Sequence, residues 1–516
     1  MSETKEYIVS LNRGVNYDEF WNEIENISAG DRFVPSRQVD IVNNRDASLR
    51  QCHYALTDEE AATLKNDSRV YDVEIPPEQR DDIVLVRHAT QTSDFSKTTS
   101  DSGAYVNWGL RRMIAESNPY GGNTVTGGYT YTLDGAGVDI VIHDSGIQAD
   151  HPEFQDRQGT TRVQQINWYT ESGITGTMPT AHYTDYDGHG THVAGIAAGK
   201  TYGWAKGARI YSVKVNGLEG AADPNGGISI TDCFDVIKQW HANKSVDTTT
   251  GVKRPTIINM SWGYNAYYTT VSSMNYRGVT KTGTDIDSTS KRWAFGLVPL
   301  VDESIYTTNT RVSTVDVDIQ ELIDAGVHVI IAAGNNYHKI DIASGTDYNN
   351  YAVTDYGTRY YNRGSSPSDD QAIKVGNIDT ALNGADEQKA NSSETGPGVD
   401  IWAPGTSIMS ATSNVNNWGS GSQNYYLNSS FKQTNISGTS MAAPQVAGLG
   451  ALYLQLEPAT TPTELKAWLL SNSKEDLIYT SGLDNDYTNQ RSLMGSDNKF
   501  AFNPFNSAIQ LRISNS

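Results

Sequence analysis

Five short runs rich in Val and Ile recur along the larger part of this chain. Each stops abruptly in turn residues: GVDIVIHDSG (137–146), ARIYSVKV (208–215), PTIINMSWG (255–263), GVHVIIAAGNN (326–336) and QAIKVGNID (371–379). Runs of this kind offer no polar face to water, so they must be covered on both sides, as the strands of a parallel sheet are. Helical stretches lie among them: HGTHVAGIAAG (189–199), TDCFDVIKQWHAN (231–243) and DVDIQELIDAG (316–326). The expected fold class is therefore α/β, a mainly parallel sheet with helices on both faces. In such sheets reactive groups gather beyond the carboxyl ends of the strands. HDSG, MSWG and AAGNN all fall there.

The first eighty residues have a different rhythm. YIVSL (7–11) reads as a strand, and Phe20, Trp21, Ile24 and Ile27 follow at helical spacing. QVDIV and LRQCHYAL read as strands. Thr57 opens TDEEAATLKND as an N-cap, with Glu60 three residues on to complete a capping box. RVYDVEI (69–75) closes the unit. The order β-α-β-β-α-β predicts a small ferredoxin-like α+β domain over residues 1–80. Residues 81–104 turn polar and rich in Ser and Thr, without helical or strand period, and are expected to be a linker. Residues 105–516 are left for the α/β domain.

Composition narrows the partners. The net charge of −21 repels phosphates, so neither nucleic acid nor an anionic membrane surface is expected as a partner. No apolar run is long enough to span a bilayer. The opening MSETKEYIVSLNRG lacks a charged-then-apolar secretory pattern. A cell interior, a phage particle and an atypical export route all stay open. The two cysteines, Cys52 and Cys233, fall in different expected domains and read as core thiols rather than a disulfide.

Three motifs carry chemistry. VIHDSGI ends a strand on Asp144; DGHGTHVAGIAAG puts His189 at the mouth of a Gly/Ala-rich helix; SGTSMAAPQVAG puts Ser440 at the mouth of another. A serine hydroxyl is a poor nucleophile at neutral pH and needs an adjacent base. His189 could take its proton and return it to a leaving amine, with Asp144 holding the imidazole in the right tautomer. The order Asp, His, Ser is one of the known chain orders of a serine triad. IIAAGNN ends a strand on Asn335 or Asn336, either of which could donate an amide N–H to a developing oxyanion. The bland readings are a metal pair for His189 and His192, a helix cap for Ser440 and a turn former for Asn335. Joint occurrence of all the motifs in this order speaks against them.

At these residues the chain resembles the subtilisin-like serine proteases (subtilases), and within them most the proteinase K group. The stretches that carry the resemblance are WGLRRM (108–113), DSGIQADHPEF (144–154), GHGTHVAGIAAG, INMSWG, AAGNN, DIWAPGTSIMSA and SGTSMAAPQVAGL. The resemblance implies a serine endopeptidase with Asp144, His189 and Ser440 as triad and Asn335 as oxyanion donor. It implies that Ser261, Trp262 and Gly263 pair with substrate as an added strand. Ala332, Ala333 and Gly334 would form the facing wall of the primary specificity pocket. Small residues there imply broad specificity with apolar or aromatic preference. The N-terminal unit resembles the family's propeptide, an intramolecular inhibitor removed by self-cleavage between Glu74 and Tyr105. The partners implied are protein or peptide substrates and this propeptide, around a monomer.

Calcium is common in the family, and the resemblance places one structural site on the Asp400 carboxylate with the carbonyls of Asp370 and Ala372. Oxygen-only ligation suits that ion. Catalysis would need no cofactor. The chain also departs from the family pattern. Trp262, Tyr264 and Gln445 replace other residues, and an aromatic insert spans residues 264–311. That insert reads as a packed surface loop, with recruitment of a substrate as the alternative. Two further function classes remain: a non-catalytic structural or virion component that keeps the fold, and an ester hydrolase. The substrate-pairing SWG favours an extended peptide over an ester.

Overall fold

The computed structural model describes residues 4–12, 14–25, 37–44, 51–76, 79, 89–91, 107–116, 129–166, 184–215, 230–299, 305–415, 422–483 and 487–506. The chain divides into two compact units, Met1–Val86 with Gln510–Ser516, and Arg87–Ile509.

The smaller unit runs β1 (Lys5–Leu11), α1 (Tyr17–Glu25), β2 (Asp40–Asn44), β3 (Gln51–Leu56), α2 (Asp58–Lys65) and β4 (Val70–Glu74). Its sheet order is β2-β3-β1-β4 with every neighbour antiparallel, the ferredoxin-like arrangement expected from the sequence. The capping box is formed: Glu60 N donates to Thr57 Oγ1 at 3.2 Å and Thr57 N to Glu60 Oε2 at 2.8 Å. Phe20, Ile24 and Leu64 press their apolar stripe onto Val9, Tyr54 and Val73. Cys52 is buried in this core and forms no disulfide.

Most of the expected linker, and with it most of the Glu74–Tyr105 span in which self-cleavage is expected, lies outside the described residues. One part of it departs from the structureless reading. Ala89–Gln91 pairs antiparallel with Tyr129–Tyr131 of the larger unit. Three residues are too few to show a strand period, so only the partner strand reveals them.

In the larger unit, α3 is Trp108–Arg112, β5 Asp139–Asp144, α4 His189–Ala198, β6 Arg209–Lys214, α5 Ile230–Asn243 and β7 Thr256–Met260. Then come β8 (Asn265–Tyr268), β9 (Tyr306–Asn309), α6 (Ser313–Asp324), β10 (His328–Ala332), β11 (Ile373–Asn383), β12 (Ile401–Pro404) and α7 (Thr439–Leu456). The main sheet has ten strands, and its central six, in the order β12-β11-β10-β7-β5-β6, are all parallel. From β5 the chain steps one way to β6 and then returns to the other side of β5 at β7. That reversal opens a crevice at the carboxyl end of β5, where Asp144 sits.

Helices cover both faces, so the strands bury both of theirs. On one face Phe234, Ile237 and Trp240 of α5 and Ile319 and Leu322 of α6 pack on Val141, Ile258 and Val329. On the other, α7 lies close: a Cβ on Gly450 would meet Ile257 at 2.9 Å, and one on Gly448 would meet Ala197 O of α4 at 2.7 Å. The small residues of α7 therefore serve close helix packing as well as the space around Ser440.

The aromatic insert is not a surface loop. β8 and β9 pair antiparallel, and Val271–Tyr276 joins a four-stranded sheet with Val279–Lys281, Tyr351–Thr354 and Gly357–Tyr360. Tyr268, Met274, Ile286, Leu297, Tyr306 and Tyr361 form its own core. Its strand partners come partly from beyond residue 311, so the insert read alone could not show the sheet.

Candidate active site

Asp144 ends β5 and is buried; its Oδ1 accepts the main-chain N–H of Ser145 at 2.7 Å. His189 is the first residue of α4. Its Nδ1 lies 2.8 Å from Asp144 Oδ1 and 3.0 Å from Oδ2, so the ring N–H is held by both carboxylate oxygens. The two elements can come this close because Gly190 has no side chain. A Cβ there would sit 2.2 Å from Gly146 O and 3.2 Å from Asp144 Cβ. Burial opposes charge on His189, but Asp144 by charge and hydrogen bond, with Asp187 and Asp185, outweighs it and pushes the imidazole up to about 9.

One organiser of this turn was missed in the sequence. Asp185 is fully buried and takes five hydrogen bonds: from Ser145 Oγ (2.9 Å), Asp187 N (3.1 Å), Gly188 N (2.8 Å), Thr191 N (2.8 Å) and Thr191 Oγ1 (2.6 Å). Ser145 Oγ in turn accepts from Gly190 N at 2.8 Å. The end of β5 and the start of α4 are thus locked through one carboxylate. An acidic residue just ahead of a helix start, in DYDGHGTH, was the available signal. His192 takes no part: its Nε2 lies 3.1 Å from Thr434 O and it is wholly buried.

Ser440 stands in the first turn of α7, whose N–H groups have no partner inside the helix. Its hydroxyl donates to Ser261 O at 3.0 Å, which ties it to the expected substrate strand. Asn335 is placed by Thr439: its Oδ1 accepts from Thr439 N at 2.9 Å and from Thr439 Oγ1 at 3.1 Å. With the carbonyl so held, the amide nitrogen is left to face other acceptors. Asn336 lines the same pocket, and its main-chain N–H donates to Glu394 Oε1 at 3.2 Å. Of the two asparagines, Asn335 is the one whose side-chain carbonyl is held by Thr439.

Beside Ser440 lies a pocket of about 210 Å³. Ser261, Trp262, Gly263, Ala332, Ala333 and Gly334 line it together with Asn335 and Thr439. All six expected substrate-binding residues meet here. The insert reaches the pocket too: Asn265 of β8 and Asn309 of β9, paired across the two strands, both line it. Tyr264 stands edge-on to Trp262, whose Nε1 donates to His143 O at 2.9 Å. Gln445 sits in a closed buried network. Its Oε1 accepts from Trp204 Nε1 (2.7 Å), and its Nε2 donates to Asn107 Oδ1 (2.8 Å).

The expected calcium position holds a different cation. Lys466 Nζ lies 2.8 Å from Asp370 O, 2.8 Å from Ala372 O and 2.8 Å from Asp400 Oδ1. The three named oxygens converge, as expected, but on an ammonium. Its three N–H groups match three acceptors one for one. The donor set does not fit a metal ion while Lys466 occupies it. Lys466 lies too far along the chain from all three to be linked with them by spacing. Among the described residues no group of three or more His, Cys, Asp or Glu could hold a metal.

A carboxylate-held imidazole and a helix-borne serine beside an open pocket, at the switch point of an α/β sheet, are the arrangement of a serine hydrolase. The subtilase family model matches residues 135–500, and the chain belongs to that family. It is a subtilisin-like serine endopeptidase. It is 28% identical over 436 residues to an extracellular serine proteinase of Thermus sp. (strain Rt41A), covering 84% of this chain and 74% of that protein. A cuticle-degrading serine protease of Arthrobotrys oligospora is 27% identical over 77% of this chain and 68% of its own length. The subtilisin-like proteinase Spm1 of Pyricularia oryzae is 27% identical over 76% of this chain, and the chain spans 56% of its length. Solved structures of a cold adapted subtilisin-like serine proteinase and of sphericase align with TM-scores of 0.46 each. They are 24% and 21% identical, covering 77% and 78% of this chain and 98% and 99% of theirs.

Proposed function

We propose that the chain hydrolyses peptide bonds by acyl transfer through Ser440. The hydroxyl oxygen attacks the carbonyl carbon of the bond to be cut, and its proton passes to His189 Nε2. The charged oxygen of the tetrahedral intermediate takes hydrogen bonds from the Asn335 amide and the N–H of Ser440. When the C–N bond breaks, His189 returns the proton to the departing amine. Water, activated the same way, then releases the acyl group. Asp144 keeps the Nδ1 proton in place and stabilises the imidazolium. The observation that carries this reading is the double contact of His189 Nδ1 with Asp144, at 2.8 and 3.0 Å.

The substrate lies along Ser261–Gly263 as an added strand, and the pocket takes the side chain on the acyl side of the cut. Small residues at Ala332, Ala333 and Gly334 support broad specificity, with apolar and aromatic side chains among those admitted. The ferredoxin-like unit at residues 1–80 acts as a propeptide and inhibitor, removed by self-cleavage between Glu74 and Tyr105. The catalytic unit then works as a monomer. Lys466, rather than calcium, serves as the cation at Asp400.

Intact mass after expression, with and without a fluorophosphonate probe, tests the whole reading. Wild type should lose an N-terminal piece and gain one adduct, and Ser440→Ala should do neither. A Ser440→Ala protein that still shortens itself removes the self-processing part. Wild type that takes no adduct even after mild proteolysis of the N-terminal unit favours the non-catalytic component instead. Parallel assays on peptide and simple ester substrates separate a peptidase from an esterase.

A further inference from the structure

The pocket beside Ser440 is not apolar throughout. Asn335, at the serine, is exposed, whereas Asn309 is only 4% exposed and so marks the deep end. Asn309 comes from the insert, on β9. It is fixed from behind by Glu394, a residue outside every motif in the sequence. Glu394 Oε1 accepts from Asn309 Nδ2 at 3.1 Å and from Asn336 N at 3.2 Å, and Glu394 N donates to Gly334 O at 3.0 Å. The Glu394 side chain packs against Gly334 of the pocket wall: a Cβ on Gly334 would meet Glu394 Cγ at 2.6 Å.

Glu394 has no exposed surface, and its Oε2 has no hydrogen-bond partner among the described residues. A chain that only needed to fill this space would place an apolar residue there, because a buried polar atom without a partner is costly. Burial pushes the carboxyl up to about 8 against the pull of Asn309, the N–H of Asn336 and the buried Lys389. It acts on the pocket through Asn309 and does not itself line it. Glu394 engages one N–H of the Asn309 amide, which has further hydrogen-bonding capacity at its nitrogen and its oxygen.

We infer that Asn309, positioned by Glu394, determines specificity by giving the pocket a polar inner end. The enzyme then favours an acyl-side residue that reaches this end with a neutral hydrogen-bonding group, Tyr over Phe and Gln over Met. This rests on the peptidase reading above. The physical reason is desolvation: a plain apolar side chain strips water from the Asn309 amide and returns nothing. A site built to hydrogen-bond a substrate group discriminates against the isostere that lacks it. The insert is then part of the specificity device, since its two strands deliver Asn265 to the pocket mouth and Asn309 to its depth.

The test uses the full chain, with active sites counted by fluorophosphonate titration so that inactive molecules drop out. Four peptidyl anilides differ only in the residue before the anilide: Tyr, Phe, Gln or Met. Wild type should show kcat/KM ratios of about ten for Tyr over Phe and for Gln over Met, the size of one exchanged hydrogen bond. Asn309→Leu should bring both ratios to about one or below, by raising Phe and Met as well as lowering Tyr and Gln. Glu394→Ala should reduce the ratios, and Glu394→Gln, which keeps an acceptor oxygen, should restore them. Should Asn309→Leu yield no titratable sites, Asn309→Ser takes its place.

Wild-type ratios of one or less overturn the inference, and so do ratios that neither Asn309 variant changes. Cleavage of all four substrates with Phe and Met ahead leaves the peptidase reading standing and removes only the polar pocket. No adduct and no cleavage of any substrate fails the peptidase reading, and this inference goes with it.

Discussion

Ser440 and Ser261 hold each other by reciprocal hydrogen bonds: the Ser440 hydroxyl donates to Ser261 O at 3.0 Å, and the Ser261 hydroxyl donates to Ser440 O at 3.0 Å. The nucleophile helix is thus stitched to the strand on which substrate is proposed to lie. Asn259 Nδ2 adds a third bond, to Ser261 Oγ at 2.8 Å. To pass its proton to His189, the Ser440 hydroxyl must leave Ser261 O. Catalytic contacts of this kind often tighten only when substrate is bound.

Ser261→Ala removes the return bond and leaves Ser440 O and Asn259 Nδ2 unsatisfied. Unfolding free energy should fall by about 1–3 kcal/mol, as for other buried groups stripped of a partner. Denaturant titration measures this. An unchanged midpoint would mean that the stitch contributes nothing.

Asp144→Asn should leave the fold intact and lower turnover by roughly four orders of magnitude, as the equivalent change does in another serine protease, because the imidazole loses its enforced tautomer. Asn335→Leu should lower turnover by roughly a hundred- to a thousandfold, the size found when such a donor is lost in subtilisin itself. Steady-state kinetics on titrated active sites distinguish the two, since KM should move little in the second. Asp185→Ala should instead cost stability first, since it strips five donors of one buried acceptor.

The pH dependence follows from His189. Only its neutral form can accept a proton, so kcat/KM should rise with pH through an apparent pKa above 6.5, towards about 9. Stability runs the other way. A histidine whose folded pKa is raised contributes fully below its unfolded value near 6.5, and that contribution is lost as pH climbs through the folded one. A rate profile flat above neutrality would contradict the strong hold of Asp144 on the ring.

Chelation separates Lys466 from calcium. EDTA should leave the wild-type Tm unchanged with respect to this site. Lys466→Met should destabilise by about 1–3 kcal/mol, because Asp400 and two carbonyls lose an ionic partner. The same variant should then gain Tm in millimolar calcium, since an oxygen-only site has been opened. A wild type that loses Tm with EDTA, and a Lys466→Met variant blind to calcium, would together refute the assignment.

Local chemistry was legible in the chain. The Val/Ile runs became β5, β6, β7, β10 and β11, and the Gly/Ala-rich stretches became α4 and α7, because a strand buried on both faces and a helix packed at close range each demand one composition over a contiguous window. Asp144, His189 and Ser440 could be named for the same reason: each sits at the end of an element that its own neighbours specify. Asn335 could not be told from Asn336, since the choice depends on Thr439, 104 residues away. Asn309 meets Glu394 across 85 residues and Lys466 meets Ala372 across 94. No window holds such pairs. The sequence by itself determined which elements form and where the reactive groups end them. Tertiary structure alone decided which cation lies at Asp400, which asparagine side chain Thr439 holds and which residues of the insert line the pocket, because those are contacts between elements, set by packing.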